Sequence, residues 1–407
     1  MDKFKDRVVF SKKQLMAGTY LYFGAGFSNS EKNFAAAVDA ANAASSLLQD
    51  KEYSLAVVVT TPDYDYRKVY EAVGSVVGDT PIVLIVNNFA ASHSEGSERG
   101  VAVGLFSRRV GARVEIAKGF SLGSRRAIQE AVGKLLETSS GREYNYLVFF
   151  APNSIPLAGE NTYNALVEFA DSFDGIVGGI IGDPQKMEYQ TFLYNGKTYT
   201  DHAILIKLES DVKFYIDQAH GFHPVRPFKI TGIRGDMIIS LDDDPAFYTL
   251  LDVLSRKGYS EEDLRDPVKA ARILNRFQFA VADKNKPGIF RAVLPMNISE
   301  RGIRLNAFLN EGDSIWLMES STEEMHEAVD KMMGRAMGRL DKINGALIFE
   351  SYVRRKVLSV EDYVEEQRRI VDNLKAPYLL VETVEEVVIS ENLYPGAHMG
   401  SIAGIFF

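Results

Sequence analysis

The chain has 407 residues, 46% of them hydrophobic and 25% charged, and that length exceeds what one hydrophobic core usually serves, so two domains are the natural count. A net charge of −9 argues against nucleic-acid binding by the chain as a whole, because that affinity comes largely from lysine and arginine neutralising phosphates. There is no cysteine, which excludes disulfides, thiolate nucleophiles and cysteine-ligated metal sites.

Residues 1–13 are of mixed charge and lack the apolar core of a signal peptide. No run reaches the roughly 18 apolar residues of a membrane helix, so the expectation is a cytoplasmic protein without membrane insertion. Residues 21–30 read as a strand entering a glycine-containing turn, with Gly24, Gly26 and Ser28 in it. Residues 31–48 follow as a helix, with Phe34, Val38, Ala41 and Leu47-Leu48 at helical spacing, and Ser28 or Ser30 is placed to cap it. Strand, glycine turn and helix offer backbone N–H groups to an anion. The third glycine of a dinucleotide fingerprint is missing, however, so these residues stay open between a ligand turn and a plain cap.

Residues 55–60 and 81–86 are apolar strands flanking a helix at 67–77, an alternation that implies a largely parallel sheet. Residues 87–96 are polar and turn-rich and read as a loop, which makes His93 a solvated histidine rather than a catalytic one. At Ser97-Glu98-Arg99-Gly100 a repeat begins, written again from Ser299-Glu300-Arg301-Gly302. The offset of roughly 200 residues persists through several elements: Tyr146-Leu147-Val148-Phe149-Phe150 against Ala346-Leu347-Ile348-Phe349-Glu350, Tyr163 against Tyr363, and Ala203-Ile204 against Ser401-Ile402. A period of that size is a duplicated domain rather than a solenoid.

In the first copy, Gly178-Gly179-Ile180-Ile181-Gly182-Asp183 closes an apolar run. Ligands of α/β sheets bind at that end of strands, although a bulge or close packing explains the glycines equally well. Asn195-Gly196 predicts a tight hairpin. Residues 218–227 pack prolines, glycine, His220 and His223 together and read as a connector. A metal pair at these histidines would need a helix, which Gly221 and Pro224 oppose, and a third ligand. Asp242-Asp243-Asp244-Pro245 opens a helix whose dipole suits acids, residues 256–276 are charged and helical, and Gly404-Ile405-Phe406-Phe407 reads as a strand inside a sheet.

The run His220-Gly221-Phe222-His223-Pro224, the strand and Gly turn Ile230-Thr231-Gly232-Ile233-Arg234-Gly235-Asp236, and Leu241-Asp242 before Pro245-Ala246 resemble the junction of FIST sensory domains. The Gly24-to-Ser28 turn, Gly178-Gly179 and the Asn195-Gly196 hairpin are similar to the N-terminal FIST domain. Leu347-Ile348-Phe349 leading to Arg354 or Arg355, and Val384-Glu385-Glu386-Val387, are similar to the C-terminal one. The chain departs from the family at Ser351, where a cysteine is common, and at Glu385, where the family element carries a glycine. The resemblance implies a cytoplasmic sensory module that binds small molecules such as amino acids and is either a stand-alone binder or signals through a partner; no cofactor is expected.

These readings predict a mixed α/β fold of two related halves, 1–218 and 219–407, with two sheets stacked face to face in four layers about a pseudo-twofold axis. The repeat equates the loop holding Ser154 with that holding Arg354 and Arg355, and the turn from Gly178 to Asp183 with the one holding Glu385 and Glu386. A zwitterionic, amino-acid-like ligand would use an arginine for its carboxylate and a glutamate for its ammonium; the alternative is a solvated strand end. The candidate ligand-binding set is Gly24, Gly26, Ser28, Ser154, Gly178, Gly179, Asp183, His220, Arg354, Arg355, Glu385 and Glu386. Two other readings stand beside it: a hydrolase with Ser28 or Ser154 as nucleophile, His220 or His223 as base and an acid among Asp242 to Asp244, without a Gly-x-Ser-x-Gly elbow, and a protein-binding scaffold acting as a homodimer.

Overall fold

The computed structural model describes residues 5, 7–11, 21–182, 190–282, 290–293, 295–390, 393 and 396–407. Asp183 lies outside them. A short strand β1 (Val8–Val9) precedes a first unit made of β2 (Phe23–Ser28), α1 (Asn33–Ser46), β3 (Tyr53–Thr60), α2 (Tyr66–Val77), β4 (Ile82–Val86), a hairpin of β5 (Ala90–Ser92) and β6 (Glu95–Ser97), and β7 (Val101–Ser107). The second unit repeats that order with β8 (Gly111–Lys118), α3 (Phe120–Leu136), β9 (Tyr144–Pro152), α4 (Ala158–Leu166), β10 (Gly175–Ile181), the hairpin β11 (Phe192–Tyr194) and β12 (Lys197–Tyr199), and β13 (His202–Ser210).

A strand β14 (Tyr215–His220) leads into an inserted domain: β15 (Phe222–Arg234), β16 (Met237–Leu241), β17 (Asp244–Pro245), α5 (Ala246–Ser255), α6 (Glu261–Arg265), α7 (Pro267–Arg276), β18 (Phe277–Ala282), β19 (Phe290–Val293), β20 (Pro295–Ser299), β21 (Gly302–Leu305) and β22 (Ser314–Ser320). The third unit then completes itself with α8 (Thr322–Arg339), β23 (Ala346–Ser351), α9 (Tyr352–Val357), α10 (Val360–Leu374), β24 (Tyr378–Thr383), the hairpin β25 (Glu385–Ile389) and β26 (Gly396–His398), and β27 (Ser401–Phe406).

Each unit builds the same sheet. The orders are β4-β3-β7-β2, β10-β9-β13-β8 and β24-β23-β27-β14, with a parallel pair in the first two positions and antiparallel pairing thereafter. The outer edge of that parallel pair is apolar and needs a partner. A hairpin from another unit supplies it, in a cycle: β11 pairs with β4, β25 with β10, and β5 with β24.

The mixed α/β expectation therefore holds, and so does the duplication of β9 to β13 in β23 to β27. The structure adds a third copy, residues 23–107, and corrects the stacking. Three sheets, rather than two, turn their inner faces onto one core that joins Val57 and Ile85, Val148 and Val177, and Phe349 and Val381. Helices cover the outer faces, α1 and α2 on the first sheet, α3 and α4 on the second, and α8 and α10 on the third. A two-sheet, pseudo-twofold sandwich cannot accommodate hairpins that pass cyclically among three sheets. The inserted domain forms a fourth sheet, β19-β18-β22-β15-β16-β21-β20. It takes β22 out of the third unit, and β14 fills the place that β8 holds in the second.

Several local expectations change with the tertiary context. Residues 87–96 are the β5–β6 hairpin rather than a loop, and His93 at its tip is buried. Burial pulls its imidazole down to about 4. Neither serine caps α1, whose N-cap is Lys32; Ser28 Oγ instead accepts from the Ser30 N–H at 3.3 Å. The connector at 218–227 is the crossing from β14 into β15 at Gly221. Asp242 and Asp243 occupy left-handed turn positions and Pro245 is the N-cap of α5, so those acids form a turn rather than a helix cap. Asn195 and Gly196, both with positive φ, make the predicted tight turn. Among the described residues no helix is long and apolar enough to cross a membrane.

Candidate functional site

Alternation along a strand decides which side chains enter the interior. On β24, Leu379 and Val381 face the shared core, so Thr383 at the strand's carboxyl end faces it too. The same parity places Ser351 inward at the end of β23, Ser401 on β27 and Gln218 on β14. On β25, Val388 faces the core and carries Glu386 with it; His398 lies directly opposite Glu386 across the hairpin. The carboxyl ends of the third unit's parallel strands, together with the exchanged hairpin, thus present an enclosed polar group to an otherwise apolar interior.

Glu386 is fully buried. The Thr383 and Ser401 hydroxyls donate to its two carboxylate oxygens, and the Gln218 amide donates to Ser401 Oγ at 2.8 Å. Burial holds this carboxyl well above the usual range, because removing charge from water costs more than the two hydroxyls and the Ser401 N–H return. Among the described residues no Lys or Arg forms an ion pair with Glu386. The turn from His398 to Ser401 is fastened from the other side: the Gly400 N–H donates to Ser351 Oγ at 2.9 Å, and Arg354 donates to the Gly400 carbonyl at 3.4 Å.

The outer face of the same strands is charged but internally paired. Arg354, with no exposed surface, donates through Nε to Glu366 at 3.1 Å and through Nη2 to the Met325 carbonyl at 3.0 Å, and its Nη2 also reaches the second Glu366 oxygen. Arg355 donates to Glu382 through Nε at 2.8 Å and to Glu98 through Nη1, with its guanidinium 4.7 Å from the Phe89 ring centre. Beside them, Tyr363 and Gln367 donate to the two oxygens of Glu350 at 2.6 and 2.7 Å; burial and the neighbouring Glu366 raise that carboxyl. Glu385 points outward from β25 under α4, where it accepts from the Gly159 N–H at 3.0 Å. Burial lifts it to about 7, opposed by that N–H, by Arg291 and by Asn306.

The structure brings together part of the predicted set. Gly179 pairs with Glu386 and Gly178 with Val387. A Cβ on Gly179 would lie 2.2 Å from Thr383 Cγ2, and one on Gly178 would lie 2.2 Å from the Phe149 carbonyl oxygen, so these glycines permit close strand packing rather than cradle a ligand. His220 ends β14 opposite Ser401, and Arg354 reaches the same turn. Ser154, just beyond β9, keeps a buried hydroxyl without a hydrogen-bond partner among the described residues. Gly24, Gly26 and Ser28 lie elsewhere, on β2 of the first unit. A Cβ on Gly24 or Gly26 would come within 2.2 or 2.3 Å of the Ala44 or Ala40 carbonyl oxygen, which makes them helix-packing residues and corrects the anion-turn reading. The arginine assignment is corrected as well, because both guanidiniums face carboxylates of the protein itself. Ser28 lies on β2, His220 on β14 and Asp244 on β17, strands of three different sheets.

Sequence reasoning missed Thr383, Ser401, Gln218 and Gln278, since nothing in their neighbourhoods marks them as polar exceptions on inward strand faces. Glu98 had a signal, the Ser-Glu-Arg-Gly motif, whose first copy pairs with Arg355 and whose second places Glu300 against Arg265.

The fold is a mixed α/β architecture whose third unit encloses a buried polar end. The FIST N domain matches residues 54–244 and the FIST C domain matches residues 248–381. The chain belongs to the FIST family of signal-transduction sensory domains. A search of curated proteins finds no match to it.

Proposed function

We propose that this chain is a sensor that takes up a small, amino-acid-like molecule at the inward-facing polar end formed by Glu386, Thr383, Ser401 and Gln218. The observation that carries this reading is Glu386, a fully buried carboxyl that accepts from the Thr383 and Ser401 hydroxyls and the Ser401 N–H and with which no Lys or Arg among the described residues forms an ion pair. A ligand ammonium placed there supplies the missing countercharge, and the carboxyl gives up its proton on binding. The position agrees with the rule that α/β sheets bind at the carboxyl ends of their strands. The FIST sensory family supports a signal passed to a protein partner.

The test is a thermal-shift series of the full chain with each of the common L-amino acids. A ligand at a hundred times its Kd stabilises the folded state by about 2.7 kcal/mol, and Glu386→Gln, which keeps the shape but not the charge, abolishes the shift. If no amino acid moves the wild-type transition, or if the variant responds as wild type does, the reading fails.

A further inference from the structure

Gln278 belongs to β18 of the inserted domain, where its strand neighbours Phe277 and Phe279 turn into that domain's own core. Alternation sends Gln278 the other way with Ala280, which packs with Met318, Met325 and Phe222 against the third unit. The side chain is completely buried, yet neither its Oε1 nor its Nε2 has a hydrogen-bond partner among the described residues. Leaving such groups unsatisfied carries the full desolvation penalty of each, and buried polar atoms without partners are rare in folded proteins.

The amide lies beside the turn that carries the proposed site. A Cβ on Gly400 would stand 3.2 Å from Gln278 Nε2 and 2.6 Å from the Phe222 ring, and Gly400 immediately precedes Ser401, whose hydroxyl holds Glu386. Gly400 also has a positive φ of 67°, so the close approach of the inserted domain depends on a glycine there in two ways.

We propose that Gln278 is the specificity-determining residue of this site and that the ligand is an amino acid bearing a carboxamide side chain. An amide is the group whose adjacent acceptor and donor satisfy Gln278 Oε1 and Nε2 together. The ligand then joins the inserted domain, through Gln278, to the main body, through Glu386. This inference rests on the sensor reading above and adds to it the ligand class and the second domain that holds it.

Thermal-shift titrations of the full chain with L-glutamine, L-asparagine, L-glutamate and L-leucine test it, using wild type, Gln278→Leu and Gln278→Met. Glutamine or asparagine is expected to bind wild type at least tenfold more tightly than glutamate or leucine. Both variants should melt higher than wild type without ligand, since an apolar side chain removes the unsatisfied amide, and should lose that tenfold preference. A wild type that prefers another amino acid, with affinity unchanged in the variants, overturns the inference while leaving the sensor reading standing. A wild type that responds to none of the four, but to another common amino acid, overturns it likewise. Variants that melt no higher than wild type without ligand show that water already serves the amide, which also overturns it.

Discussion

The first and third units share one strand order but treat their interiors differently. In the first, α1 lays five buried alanines, Ala36, Ala37, Ala40, Ala41 and Ala44, directly over the glycines of β2, so helix and strand meet backbone to side chain with little between them. In the third, α8 contributes Met325, Met332 and Met333, while α9 and α10 bring Arg354, Arg355, Glu366 and Gln367 into complete or nearly complete burial. One topology therefore yields a tightly packed apolar unit and a unit whose stability depends on paired charges. The third unit is the one of these two whose interior holds buried arginine–glutamate pairs.

The largest expected effect comes from breaking a pair in the third unit. Arg354→Ala leaves Glu366 buried and uncompensated and should cost about 3–5 kcal/mol, read as a fall in the denaturation midpoint. The double change Arg354→Met with Glu366→Leu should be far milder. Equal losses in the single and double variants would show that the pair's charges do not dominate this interior.

A second effect separates the units by pH. Glu385 is raised from 4.5 to about 7 by burial, so its neutral form stabilises the fold below its unfolded pKa, and that contribution disappears as pH rises through 7. Between pH 4.5 and 8 this group accounts for a loss of up to about 3 kcal/mol, which Glu385→Gln should remove from the wild-type slope in chemical denaturation. His93, from the first unit's hairpin, acts in the opposite direction: its lowered imidazole makes stability fall as pH drops from 6.5 towards about 4. An identical slope in wild type and the glutamine variant would mean that the Glu385 carboxyl titrates in the folded protein as it does in the unfolded chain.

The smallest effect belongs to the first unit. Gly26→Ala puts a methyl 2.3 Å from the Ala40 carbonyl oxygen, and the resulting shift of α1 should cost about 1–3 kcal/mol without changing the pH dependence. Unaltered stability would mean that α1 can slide freely on β2, and the contrast between rigid and charged units would lose its basis.

Much of the fold was legible because strands and helices announce themselves through local periodicity. The apolar runs at 55–60, 146–150 and 346–350 are strands, and the repeat between the second and third units survives in side chains such as Tyr163 and Tyr363. The first unit escaped detection because its Ala- and Gly-based helix packing differs from the Met- and Glu-based packing of the third, leaving few matches such as Gly104 with Gly404 and Phe106 with Phe406. The sequence marked Glu386 as a candidate through the repeat, and the structure pairs it with Gly179 across two strands. The roles of Arg354 and Arg355 were not legible, since their partners Glu366, Glu382 and Glu98 are set by helix placement and by a contact from the first unit.

The sequence by itself determined the alternation of strands and helices, the absence of thiol chemistry, the tight turn at Asn195-Gly196 and the family to which the chain belongs, all of which rest on local or ordered patterns. Only the tertiary structure decided that three sheets exchange hairpins in a cycle, that the inserted domain replaces β22 with β14, and that Gln278 meets the turn before Ser401. Those outcomes depend on pairings between segments far apart in the chain, such as β5 with β24, for which neither periodicity nor composition carries a signal.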